Sequence, residues 1–237
     1  MNLSLKSIVV ELTRWSLILI LLGSFSAQAQ RLTVAYDTTF RSTYYEQKVT
    51  QFRMLPDTPG EIIFLGNSIT DMGEWAEIWQ NPKVKNRGIS SDLTYGVLNR
   101  LDEVVSSKPA KVFIMIGIND IARNIPDSII LSNHTQIIQH IKKASPETQI
   151  YLQSLLPTNS SFTPFKNHQN KTEHILAVNK GLRDLARDER ITYVDLYSIF
   201  TDATGKLSEK YTNDGLHLTG PGFMLWKELL SSKKYCF

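Results

Sequence analysis

Cysteine is nearly absent from this 237-residue chain: Cys236 is the only one, next to the C-terminal residue. That excludes an internal disulfide, leaves the fold to its hydrophobic core, and makes Cys236 an incidental tail thiol. No cysteine and histidine cluster has the spacing of zinc ligands, so a metal-dependent deacetylase is not expected, and no cofactor is called for. Charge of one sign is also lacking. With 26 basic and 23 acidic residues the formal charge is +3, too mild to predict nucleic-acid binding or strong membrane attraction. Internal repeats, low-complexity tracts and composition breaks are missing as well, which argues for one domain.

Long apolar runs are scarce too. The run Trp15-Ser16-Leu17-Ile18-Leu19-Ile20-Leu21-Leu22 falls short of the about 20 residues of a spanning helix. Lys6 and Arg14 precede it and Ala27-Gln28-Ala29 closes the segment, the pattern of a secretory signal peptide. Residues 1–29 are therefore expected to be removed after Ala29. Residues 30–237 would then form a single exported domain, periplasmic or extracellular, with no stable membrane anchor.

The remaining chain alternates short apolar runs with helical patterns. Strands are expected over residues 62–65, 84–86, 112–116, 149–155 and 191–194. Helices are expected over 41–54, 75–79, 93–105, 129–143, 172–188 and 221–230. Strands that alternate with helices predict a parallel sheet covered on both faces. Five of them fit a flavodoxin-like doubly wound sheet in the order 2-1-3-4-5. A ligand then binds beyond the carboxyl ends of the strands, at the switch point beside the first strand. Ser68, Gly88 and Asn119 follow strands one, two and three, which this order makes neighbours.

These residues have complementary chemistry. Ser68 supplies a hydroxyl, and its N–H at a helix start faces developing negative charge; taken alone it reads first as an N-cap, and the neighbouring motifs reverse that preference. His217 is the histidine with an acid three residues before it, in Asp214-Gly215-Leu216-His217. That turn brings a carboxylate to Nδ1 and leaves Nε2 to take a serine proton; alone, it is an ordinary turn. Gly88 offers an N–H where a side chain would block an acyl oxygen, and Asn119 offers its amide to the same oxygen. Either is also read as a plain loop residue, and Asp120 is expected to cap the helix there. His134, His140, His168 and His174 are read as solvated or structural, and Trp75 and Trp79 as one packed face.

Phe64-Leu65-Gly66-Asn67-Ser68-Ile69-Thr70, Asn86-Arg87-Gly88-Ile89, Ile116-Gly117-Ile118-Asn119-Asp120 and Asp214-Gly215-Leu216-His217 together resemble the blocks of the SGNH hydrolase superfamily, the GDSL esterases. Gln153-Ser154-Leu155-Leu156-Pro157 is similar to the platelet-activating-factor acetylhydrolase-like branch. The resemblance spans roughly residues 60 to 230. It implies a serine esterase with Ser68 as nucleophile and an Asp214-His217 pair. The implied oxyanion donors are the Ser68 and Gly88 N–H groups and the Asn119 side chain. Two positions depart from it: Asn67 stands where many members carry aspartate, and Ser90-Ser91 replaces a frequent glycine pair.

The resulting expectation is a secreted, cofactor-free esterase that removes acetyl or other short acyl groups from a small-molecule or oligosaccharide ester. A lipase or lysophospholipase-like esterase would use the same residues. A non-catalytic glycan-binding module would be expected to lack a member of the set. A flavin carrier would need a phosphate cradle denser than Asn67-Ser68-Ile69-Thr70-Asp71-Met72. The long polar stretch from 158 to 171 is a candidate border for the leaving group.

Overall fold

In the computed structural model, residues 41–236 are described, and the expected signal peptide lies outside them. The elements run in chain order as α1 (Thr43–Met54), β1 (Ile62–Gly66), α2 (Ser68–Asp71), α3 (Trp75–Ile78) and β2 (Val84–Gly88). Then come α4 (Thr94–Leu98), α5 (Leu101–Val105), β3 (Lys111–Met115), α6 (Ile118–Ala122), α7 (Asp127–Ala144) and β4 (Gln149–Gln153). The chain closes with α8 (Thr172–Asp188), β5 (Thr192–Val194), α9 (Tyr197–Phe200) and α10 (Gly220–Ser232). The strands pair in parallel in the order β2-β1-β3-β4-β5, as expected. The strand order reverses at β1, and since parallel crossovers as a rule share one hand, such a reversal puts helices on both faces. Among the described residues no helix is long and apolar enough to cross a membrane.

The middle of the sheet is buried because β1 and β3 are nearly continuous apolar runs. Register places Phe64 beside Phe113 and Phe113 beside Tyr151, so their rings stack across three strands at 4.9 and 4.5 Å. Trp75 stacks on Phe64 at 4.0 Å and meets Trp226 edge-on at 4.9 Å. Its Nε1 donates to the Thr70 carbonyl at 2.8 Å, which ties the end of α2 to the core. Trp79 closes α3 one helical turn beyond Trp75, its N–H donating to the Trp75 carbonyl at 3.0 Å, and is half-buried with the Lys227 ammonium 5.7 Å from its ring.

The expected helix over 93–105 is broken in two. Arg100 leaves helical geometry at φ −128° and sends its guanidinium into the core, where it is fully buried. There it pairs with Asp92 and Glu103 at 3.0 Å each and donates to the Gly66 and Arg87 carbonyls at 3.3 and 2.9 Å. A buried guanidinium needs all these acceptors, and an unbroken helix would not deliver it to them. One side chain thus clips together the carboxyl ends of β1 and β2.

One further expectation is corrected. Asp120 does not cap its own helix, whose N-cap is Gly117. Its carboxylate accepts instead from the Thr94 N–H at 3.1 Å and the Thr94 hydroxyl at 2.5 Å, at the start of α4. Cys236, expected to be an incidental thiol, is free and buried, burial pushes its thiol up to about 12, and Lys111 Nζ donates to its carbonyl at 3.1 Å.

Burial also pushes the Asp120 carboxyl up from 3.8 to about 7, although Thr94 donates to it. The folded protein therefore holds a proton that the unfolded chain has released. The stability this gives is full below 3.8 and is lost as the pH rises to about 7. We expect urea midpoints to fall between about pH 4 and about pH 7, and Asp120→Asn to flatten that fall. An unchanged slope in the variant would show that Asp120 does not titrate in this range.

Candidate active site

Ser68 opens α2 directly beyond β1, and its neighbour leaves the serine hydroxyl free. The N-cap is Asn67, whose side chain accepts from the Ile69 N–H at 3.1 Å. Asparagine in place of aspartate keeps this cap without adding a charge. Gly66 must be glycine, because a Cβ there would strike Thr70 and the Met115 carbonyl.

The turn from Asp214 to His217 forms as its residue types require. Asp214 Oδ1 accepts from the Leu216 and His217 N–H groups at 2.8 Å each. Gly215 takes φ +82°, and a Cβ there would strike the Asn159 carbonyl. Asp214 Oδ2 lies 2.7 Å from His217 Nδ1, and His217 Nε2 lies 2.9 Å from Ser68 Oγ. Burial opposes ionisation of Asp214, but donation from the His217 backbone and ring and from Leu216 outweighs it, so the carboxyl lies below its usual range. An ionised carboxylate only accepts, so the proton sits on Nδ1, and Nε2 accepts from the serine hydroxyl.

The oxyanion side is partly as expected. Asn119 is buried at the start of α6, and its Nδ2 donates to the Asp92 carbonyl at 2.9 Å. That leaves the second Nδ2 hydrogen available. Gly88 is different. Its N–H donates to Asn86 Oδ1 at 2.8 Å, so it is not free for a substrate oxygen. The glycine is needed for close packing, since a Cβ there would strike the backbone of Thr70 and Asp71. Ser91 lines a cavity of about 150 Å³ together with Asn119, Ala122, Arg123, Asn167 and His168. Its backbone is left-handed, at φ +67°, a geometry that favours glycine, and its N–H has no partner among the described residues. The departure from a glycine pair at Ser90-Ser91 was the available signal for this position.

Histidines divide unequally. His134 is fully buried, with Nε2 3.0 Å from the Ile116 carbonyl, and burial pulls it down to about 4. His140 and His174 are exposed. His168, read as solvated or structural, lies at the site instead: its Nε2 is 2.9 Å from Asn119 Oδ1. The polar stretch 158–171 carries it there. Within that stretch Phe165, at φ +56°, sets its ring 4.8 Å from that of His217 and 6.0 Å from that of His168. Nothing local in the sequence linked these rings to residues far away in the chain.

A flavodoxin-like sheet with a serine, histidine and aspartate joined at its switch point defines the class of α/β acylhydrolases. The family model of the GDSL-like lipase/acylhydrolase family matches residues 64–225. The chain belongs to that family. It is 27% identical over 173 residues to the platelet-activating factor acetylhydrolase IB subunit alpha2 of Rattus norvegicus, covering 70% of this chain and 72% of the relative. A solved Streptococcus pneumonia structure, given the working description of a platelet activating factor, is 30% identical. It superposes with a TM-score of 0.75, over 81% of this chain and 93% of that one. A GDSL-like lipase of Bacteroides thetaiotaomicron is 25% identical with a TM-score of 0.70, over 80% of this chain and 96% of that one.

Proposed function

We propose that this acylhydrolase is an exported serine esterase that removes acetyl or similarly short acyl groups from carbohydrate. The observation that carries the reading is the hydrogen-bonded chain from Ser68 Oγ through His217 to Asp214. Ser68 Oγ attacks the ester carbonyl carbon as its proton passes to His217 Nε2, and Asp214 stabilises the imidazolium. The tetrahedral oxyanion receives the Ser68 N–H, the second Nδ2 hydrogen of Asn119 and the Ser91 N–H, which replaces the Gly88 donor. Collapse breaks the ester C–O bond, and the departing alkoxide takes the proton from His217. Water, deprotonated by the same histidine, then attacks the acyl-serine carbonyl, and collapse releases the carboxylic acid and restores Ser68.

A short acyl group is supported by the cavity beside Asn119. About 150 Å³ is at most half of the about 300–1,000 Å³ of pockets for drug-sized ligands. The rat relative carries the name of an acetylhydrolase, which supports the same choice. A carbohydrate acceptor is supported by the exposed Phe165 ring beside His217, a flat face for a pyranose. A lipid ester is the second reading, favoured by the likeness to a GDSL-like lipase.

The test is a series of p-nitrophenyl acetate, butyrate and octanoate, followed by acetylated xylan and acetylated sialic acid. We expect kcat/KM to be highest for acetate and to drop by about 10-fold or more by octanoate, since each misfit methylene is worth about 1–3 kcal/mol. A higher value for octanoate would establish the lipid reading in its place. A fluorophosphonate probe should label Ser68 alone.

A further inference from the structure

We infer that His168 is a positioning residue for ester hydrolysis, donating Nε2–H to Asn119 Oδ1 and so clamping the amide that meets the oxyanion. The inference rests on the proposed role of Asn119. The chemistry of the contacts fixes every orientation. The Asp92 carbonyl can only accept, so the end of the Asn119 amide facing it at 2.9 Å is Nδ2. The end facing His168 is then Oδ1, at 2.9 Å, and an amide oxygen can only accept. His168 Nε2 therefore carries a hydrogen.

The other ring nitrogen is the unusual one. His168 Nδ1 is buried with no hydrogen-bond partner among the described residues, which costs free energy. Burial, with the His217 imidazole adding to it, pulls His168 below the usual imidazole range. The ring is thus held as the neutral Nε2–H tautomer with its donor spent on Asn119. Its neutrality also spares the His217 imidazolium a like charge in the transition state.

The backbone around His168 holds the ring in place. The residue ends the short 3₁₀ turn Lys166–His168. Its N–H donates to the Phe165 carbonyl at 2.8 Å, and its own carbonyl accepts from Thr158 Oγ1 at 3.2 Å. Two effects on catalysis follow. With both ends tied, the second Nδ2 hydrogen of Asn119 is aimed before substrate arrives. Donation into Oδ1 also polarises the amide and strengthens what Nδ2 donates. Both act on the oxyanion and hardly at all on the bound ester.

The test is a double-mutant cycle with p-nitrophenyl acetate, using folded variants checked by circular dichroism. His168→Phe keeps the ring packed against Phe165 and removes the donor; His168→Leu serves the same arm if the phenyl ring unfolds the protein. We expect kcat to fall by about 10- to 10²-fold with KM changed less than about 2-fold. His168→Gln, which keeps an N–H donor, should recover a substantial part of the loss. Asn119→Ala should cost about 10²–10³-fold, and adding His168→Phe to it should cost less than about 2-fold more. An equal loss in both backgrounds, or a loss confined to KM, would overturn the role of His168 and leave Asn119 standing. Full activity in Asn119→Ala would overturn both.

Discussion

Ser68→Ala is expected to lower kcat for acetate esters by about 10⁶-fold, the scale seen when a serine hydrolase loses its nucleophile, while the thermal midpoint stays close to wild type. The structural reason is that Ser68 Oγ bonds His217 Nε2 at 2.9 Å, whereas Asn67 performs the capping. Removing the hydroxyl therefore deletes no support of α2. His217→Ala should match this loss, because the two residues act as one unit. Asp214→Asn should lose less, about 10⁴-fold at most, since it disturbs the tautomer and leaves the base present. Steady-state rates and melting curves on the same preparations check all three. Retained hydrolysis in the alanine variant at position 68 would rule out Ser68 as the nucleophile.

Arg100→Ala is expected to cost about 3–5 kcal/mol of stability, read as a lowered urea midpoint at constant slope. Deleting one guanidinium strands Asp92 in the core, leaves buried Glu103 with Arg87 as its remaining cation at 3.0 Å, and leaves the Gly66 and Arg87 carbonyls without this donor. Burial already pushes the Asp92 carboxyl up to about 6 and the Glu103 carboxyl upward, against the pull of Arg100. Against a typical total of about 5–15 kcal/mol, the loss removes much of the margin. Activity should fall further than the folded fraction does. Arg100 holds the strand ends that lead to Ser68 and Ser91, and Asp92, its partner, presents the carbonyl that holds Asn119. A midpoint shift worth less than about 1 kcal/mol would show that water enters to replace the guanidinium.

The sequence by itself determined what rests on neighbours in the chain. Apolar runs between helical patterns are short-range features, and from them came the five strands and their order. Asp214, Gly215 and His217 sit within one turn, so the contact from carboxylate to imidazole is also local, and Ser68 follows β1 by two residues. What only the tertiary structure decided involves partners distant in sequence. Asn86 takes the Gly88 N–H two residues on, but its amide is oriented for this by the distant Asp71 and Gly73 carbonyls, to which its Nδ2 donates. Asp120 reaches Thr94 across 26 positions, and Arg100 reaches Gly66 across 34. His168 meets Asn119 across 49. A buried polar group must find a partner wherever the packed core supplies one. Periodicity and spacing record which residues are buried, and only the closed fold decides which of them meet.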